Sequence, residues 1–555
     1  MNYRDFMKQV DDSLATVSEE EKDDWIRETA RKTHETQRQK FLDSLMNIRT
    51  EINYPAQAVI NEIEAWCEEI ENQNIYIECT GYEAYGESRY GEWINEYTDV
   101  FEVGKTLSEA FQTAEDLLYL KEYKQSHELF ERLCSMEFTA VDVEVGEEFE
   151  LELEELIAED LADIDLKDSM LHLMYAAYQV FDGKDRVNTL YRYFISWRMT
   201  ESIKVEEVFI VGPEELHGIS AFMEEWISYL KKKDGDLAGR LLTEACMYQG
   251  GVHHLVEVAQ SVSKRHPILY KNACEYYLRE AAFLDCEKVG LQAIRLLPQK
   301  LVLRGQIADL TAKAAIQLGN GETVKECYEA AFYAESTISH YVRLFELPGY
   351  EQITRQAAGF AAILPENRGP SFRERKNEQL RMNTLSEERK KAIHFFNQEF
   401  DEVMKQCQNS KIQLGWSSHF KGVIVPLFVL MLNKNKQLPK AGQKLLKGIA
   451  IRLGDKDEEK SFTERFLYWK EKIDITDEQY ETYAAWLQKE IDKRTESVVG
   501  GGYRKSYYKP AELIAAFGEA MESSGEANGK AEWVEHFRKA HSRKRAFKAE
   551  LNALS

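Results

Sequence analysis

The sequence is poor in the residues that interrupt helices. Only 10 prolines and 30 glycines occur in 555 residues, and helix interiors tolerate these two least. Sandwich and barrel folds need many more turn residues, so the shortage argues against them and for long helices. The eight cysteines stand singly at 67, 79, 134, 246, 274, 286, 327 and 407, with no C-x-C or C-x-x-C pair. That excludes a zinc ribbon or a dithiol redox motif, and the thiols read as reduced, buried small hydrophobes. Long apolar runs are also missing. The most apolar stretch, Gly422 to Leu432, is about 11 residues and contains Pro426, whereas a membrane span needs about 20. It reads as a buried core helix. The polar opening Asn2-Tyr3-Arg4-Asp5 lacks the basic-then-apolar form of a signal peptide, so a cytoplasmic protein with no membrane partner is expected.

Charge is present in quantity but unevenly placed. The formal net charge is −25, and residues 1–165 carry 43 acidic against 14 basic residues. The remaining 390 residues hold 53 acidic and 57 basic, and are nearly neutral. An acidic surface repels phosphate backbones, so the first 165 residues suit solubility or a basic partner better than nucleic acid.

Apolar periodicity sets the organisation. Phe41, Leu45, Ile48 and Ile52 share one helix face, as do Ile60, Ile63, Trp66, Cys67 and Ile70 after Pro55. Residues 75–104 break this pattern: Ile75 to Thr80 alternates, glycines punctuate at 81, 86 and 91, and aromatics crowd in. A short hairpin or an aromatic loop belongs there. Residues 1–105 are therefore expected as an acidic helical region with an aromatic-rich loop. From 106 to 363 apolar helices alternate with short turns such as Asp234-Gly235 and Gly319-Asn320-Gly321, as antiparallel helix pairs require. The acidic stretch 144–168 interrupts them, although Phe149, Leu151, Leu153, Leu156, Ile157, Leu161 and Ile164 leave a weak helical stripe. Residues 364–388 contain Pro365 and Pro370, many charges and little periodicity, and are expected as a linker. Residues 389–555 are helical again. The fold class expected is all-α: an irregular tetratricopeptide-like α-solenoid of unequal repeats. A further C-terminal helical region follows it, and β structure is limited to a small hairpin near 75–100.

Candidate site residues fall in three places. Tyr82, Tyr85, Tyr90 and Trp93 cluster in the aromatic segment, and Tyr and Trp are enriched at binding hot spots; a protein or peptide partner is expected there. Arg504 and Lys505, after Gly500-Gly-Gly, and the basic run Arg543, Lys544, Arg545 are candidates for anion binding. A true phosphate loop places Gly directly before Lys-Ser, where this chain has Arg504, so the glycines read as a joint before a helix. Neither His253-His254, which point about 100° apart on a helix, nor the isolated Cys67 and Cys79 complete a metal set. No cofactor or metal is expected, and no nucleophile elbow, H-E-x-x-H or EF-hand loop occurs.

The last segment carries the most distinctive residues: Tyr503-Arg-Lys-Ser-Tyr507, Ala511-Glu-Leu-Ile514, Trp533 and the run His541 to Leu551. Over about 50 residues it resembles the C-terminal helical region of bacterial SWIM zinc-finger-associated proteins, where such helices cap a tetratricopeptide-like array. The resemblance implies a helical-repeat scaffold, an accessory component of a bacterial multi-protein system. The finger itself needs C-x-C followed by C-x-H, and this chain has neither, so zinc is not implied. A non-enzymatic scaffold is the leading expectation. Two alternatives stand beside it: a nucleic-acid-binding accessory protein, and a metal-independent ribonuclease using Arg389 and His394. Those two residues match the loose R-x4-H pattern of HEPN-type ribonucleases.

Overall fold

Helix follows the apolar periodicity through most of the chain. The computed structural model describes residues 13, 16–33, 38, 41–42, 56–84, 92–366, 376–411, 419–453 and 462–554. At 19–20, 23–24, 56, 82–84, 92–94 and 198–199 it describes the backbone alone. Two compact units divide these residues: Met1–Lys233 with Arg240–Gly251, and Asp234–Gly239 with Val252–Ser555. Among the described residues no helix is long and apolar enough to cross a membrane.

The first unit opens with α1 (Glu19–Lys32) and α2 (Ala56–Glu71), followed by β1 (Ile77–Ala84) and β2 (Glu92–Thr98). The expected hairpin is present, with Glu78 opposite Thr98 and Ala84 opposite Glu92. Next come α3 (Val103–Tyr119), α4 (Tyr123–Cys134), β3 (Phe138–Asp142), β4 (Glu148–Leu151) and α5 (Leu153–Ala158). The fold is mostly helical, as expected, but its β structure goes beyond the small hairpin expected near 75–100. The sheet has four strands in the order β2-β1-β3-β4, β1 and β3 being parallel. Phe149 and Leu151 belong to β4, and only Leu153, Leu156 and Ile157 of the apolar stripe are helical. The cause is local. The Asp142 carboxylate accepts the amides of Glu144 and Val145, and Gly146 takes φ +76°, closing a tight turn between β3 and β4.

The unit continues through α6 (Leu166–Val180), α7 (Gly183–Ser196), α8 (Val205–Val211) and α9 (Ile219–Leu230). A small residue lets α3 and α4 approach closely. Ser126 of α4 donates its hydroxyl to the Ala114 carbonyl of α3 at 2.8 Å, both residues being buried. The passage between units runs along α10 (Asp236–Val262), which Gly251 interrupts at φ +66°.

In the second unit α11 (Ile268–Arg279), α12 (Phe283–Leu296), α13 (Val302–Leu318) and α14 (Gly321–Ala334) each pack on the next. Glycine makes two of these contacts close: a Cβ at Gly290 would lie 1.8 Å from Thr311 Oγ1, and one at Gly305 would lie 3.3 Å from the Ala331 carbonyl oxygen. Then follow α15 (Ile338–Arg343), α16 (Tyr350–Ala362), α17 (Glu387–Phe396), α18 (Phe400–Asn409), α19 (Lys421–Leu432), α20 (Lys440–Leu453) and α21 (Phe462–Lys470). The chain closes with α22 (Asp477–Thr495), α23 (Tyr508–Ser523), α24 (Gly529–Ala540) and α25 (Arg545–Ala553).

The expected core helix is α19, and all twelve of its residues are buried. A helix apolar on every face must lie at the centre of its surroundings. Phe428 of α19 accordingly meets Phe395, Phe400, Tyr483 and Trp486 edge-on at 5.0–6.0 Å, the geometry aromatic quadrupoles favour. One continuous core runs from Phe332 to Leu554. The described part of the 364–388 segment is attached to its own unit: Leu301 bridges Met382, the Asn383 amide donates to the Lys300 carbonyl, and Gln379 is buried.

Candidate functional site

The site arises from a proline inside a helix. Pro426 sits at the sixth residue of α19 and has no amide hydrogen, so the carbonyl four residues earlier, that of Gly422, loses its helical donor. A buried carbonyl left without a partner is unfavourable. Arg452, at the end of α20, supplies the donor: its Nη1 lies 2.6 Å from the Gly422 oxygen. The proline thereby fixes the guanidinium of the otherwise exposed Arg452 on the Gly422 carbonyl at the edge of the core.

The placement of α20 is fixed at its other end. The buried Glu519 carboxylate of α23 accepts the Ala441 and Gly442 amides at 3.1 and 2.9 Å, and Lys530 donates to it at 3.0 Å. An anion at a helix N-terminus meets orphan amides and the positive end of the dipole. So held, α20 turns Lys444, Gly448 and Arg452, spaced one turn apart, to one side.

These three residues line a half-open cavity of about 370 Å³. Gly422 and Pro426 form its inner wall, Arg494 enters from the end of α22, and Tyr508, Lys509 and Glu512 enter from the start of α23. Leu445, Ile449, Ile451 and Leu513 add apolar surface. Four cationic side chains therefore face one carboxylate. Arg494 is only 4 % exposed. Burial, then the neighbouring Arg452 charge, pushes its pKa down to about 10. Lys509 is lowered by burial and by Arg452 and Arg494 together. Glu512 is raised by burial, against the pull of Lys444. Cations that depress one another's protonation lie within mutual electrostatic reach. Gly448 leaves the middle of the cavity open, since a Cβ there would meet nothing within 4 Å. Such a set can neutralise and hydrogen-bond an anion while an apolar wall receives its organic part.

The residues singled out from sequence lie elsewhere. Tyr82 stands in β1 opposite Ile94, and Trp93 in β2 opposite Glu83; Tyr85 and Tyr90 lie outside the described residues. Arg504 and Lys505 are exposed in a short 3-10 turn. The preceding amides are used within the joint, Gly501 donating to Glu496, Gly502 to Val499 and Tyr503 to Val498. An anion at Arg504 and Lys505 would thus be held by side chains alone. Arg543, Lys544 and Arg545 form the turn into α25, and the Tyr507–Phe547 ring contact at 5.8 Å brings this turn beside the 504–505 segment.

Arg389 and His394 are separated by five residues on α17, about 140° around its axis, and have different partners. Arg389 donates to the Leu453 carbonyl at the end of α20, while His394 Nδ1 lies 2.7 Å from Glu399. The eight cysteines are all buried and unpaired by disulfides.

Sequence reasoning passed over Lys444, Arg452, Arg494 and Lys509 because basic residues on polar helix faces are ordinarily solvated. The available signal was Pro426, whose place in an otherwise unbroken apolar helix requires a donor for Gly422. No known protein family matches the chain, and no curated protein matches it.

Proposed function

We propose that this chain is a non-enzymatic helical-repeat scaffold whose C-terminal helical region binds a small organic phosphate in the α19–α20–α22–α23 cavity. The observation that carries the reading is the burial of Arg494 beside Arg452 and Lys509, with Glu512 the single carboxylate in the lining. A phosphate group neutralises several closely placed cations at once, and guanidinium groups match it in bidentate geometry. The lining supplies cations and an apolar wall, a set suited to holding a ligand. The scaffold part rests on helices α11–α14, each packed on the next with Gly290 at the α12–α13 contact and Gly305 at the α13–α14 contact, and on the resemblance of the last segment to the SWIM-associated helical region. Its role there is to hold a protein or peptide of a bacterial multi-protein system.

The test is a thermal-shift series with inorganic phosphate, pyrophosphate, AMP and ADP at low and high salt. The reading expects a saturable rise in unfolding temperature with the nucleotides, larger than with phosphate alone and reduced by salt. No shift with any of the four ligands at low salt contradicts it.

A further inference from the structure

A second cluster lies in the first unit, on helices that the phosphate cavity does not use. Glu115 and Tyr119 stand one turn apart on α3, and Asp168 and His172 one turn apart on α6. These helices pack against each other, and one ligand atom from each of Glu115, Asp168 and His172 lies within 4.8 Å of the other two.

Three independent features mark this cluster. The His172 side chain is 3 % exposed, yet its Nδ1 faces Asp168 Oδ2 at 3.7 Å, beyond hydrogen-bond length. Its other nitrogen, Nε2, is 3.3 Å from the Tyr119 hydroxyl, the outer partner that sets ring orientation when an imidazole ligates a metal. Finally, the surroundings are uniformly acidic. Asp116 and Asp165 add their charge to Glu115 and Asp168, and among the described residues no Lys or Arg forms an ion pair with Glu115 or Asp168.

We infer that Glu115, Asp168 and His172 form a divalent transition-metal site that fastens α3 to α6, with His172 Nδ1 and one oxygen of each carboxylate as ligands. One imidazole and two carboxylates suit Zn²⁺ or Mn²⁺ better than Mg²⁺ or Ca²⁺, which prefer oxygen alone. Bonds of about 2.0–2.2 Å hold ligand atoms about 3–3.5 Å apart, so the carboxylates draw inward by less than about 1 Å, a side-chain rotation for the exposed Asp168. Water completes the coordination on the solvent side. The ligands come from positions 53 residues apart, which hides the set from any spacing motif.

The experiment uses the full chain freed of metal by chelation, titrated with Mn²⁺ and followed by electron paramagnetic resonance, with Zn²⁺ in parallel by calorimetry. Asp168→Asn and Glu115→Gln are the test variants, and circular dichroism confirms their fold. The inference expects one tightly bound ion per chain and a raised unfolding temperature in wild type. Each variant should weaken binding by about tenfold or more while its metal-free unfolding temperature stays close to that of wild type. Absence of saturable binding in wild type overturns the inference. So does binding that both variants leave unchanged, which would place the ion at other histidines.

Discussion

Arg452 donates to the Gly422 carbonyl at 2.6 Å, the one carbonyl of α19 that Pro426 deprives of its helical partner. That single hydrogen bond links a backbone defect in the central helix to the charge of the cavity. It also explains how a proline, which costs about 3 kcal/mol in a helix interior, is accommodated at the centre of a core.

Pro426→Ala restores an amide hydrogen that competes with Arg452 for Gly422. The helix survives, but the guanidinium loses its fixed position. Affinity for ADP is expected to fall several-fold with circular dichroism unchanged, as calorimetry can show. Undiminished affinity would separate the proline from the site.

Gly448→Leu fills the cavity without disturbing its walls. The position has open space where a Cβ would stand, and leucine is favoured over glycine in a helix by about 0.8 kcal/mol. The variant is expected to unfold at the wild-type temperature or slightly above it while losing the ADP-induced shift. Retained binding would place the anion elsewhere.

A structural ion cluster predicts the acid limb of stability. Asp309 is 3.0 Å from His340 Nε2 and 2.7 Å from Arg343 Nη2. Burial alone would raise its carboxyl, but the charges and hydrogen bonds of His340 and Arg343 outweigh that and hold it well below the usual carboxylate range. A carboxyl lowered on folding stabilises the protein above its unfolded pKa of about 3.9. That contribution is lost as pH falls through the folded value. Asp309→Asn leaves the buried Arg343 without its carboxylate, and is expected to cost about 3 kcal/mol at pH 7. Urea unfolding should show the gap between wild type and variant narrowing toward pH 2. A constant gap would refute the assignment.

Gly290 is required by packing. A Cβ there meets Thr311 Oγ1 at 1.8 Å, so Gly290→Ala is expected to destabilise by about 1–3 kcal/mol despite its better helix propensity. Thr311→Ala in the same chain removes the nearest clashing atom and should recover part of the loss. Equal unfolding temperatures for Gly290→Ala and wild type would contradict this contact.

What the sequence made legible follows from the range of each interaction. The all-round apolar run of α19 admits one reading, a central buried helix. The hairpin of β1 and β2 was marked by alternation and glycine. By contrast, β3 and β4 were hidden, because Phe149, Leu151 and Leu153 follow a period of two while Phe149, Leu153, Leu156 and Ile157 follow a helical stripe. The turn at Asp142 and Gly146 decided between them. The cavity was illegible for a different reason: Gly422, Arg452, Arg494 and Lys509 come from four helices, and each alone resembles ordinary helix chemistry. Arg494, in the last turn of α22, reads as a cation complementing the dipole; only its burial beside Arg452 gives it another meaning.

The most direct measurement is calorimetric titration of ADP into the wild-type chain and into Lys509→Gln at two salt concentrations. The proposed site predicts a single saturable event in wild type that weakens with salt, and a loss of about tenfold or more when Lys509 is neutralised. Equal binding by both proteins, or none by either, would contradict the assignment of this cavity as a phosphate site.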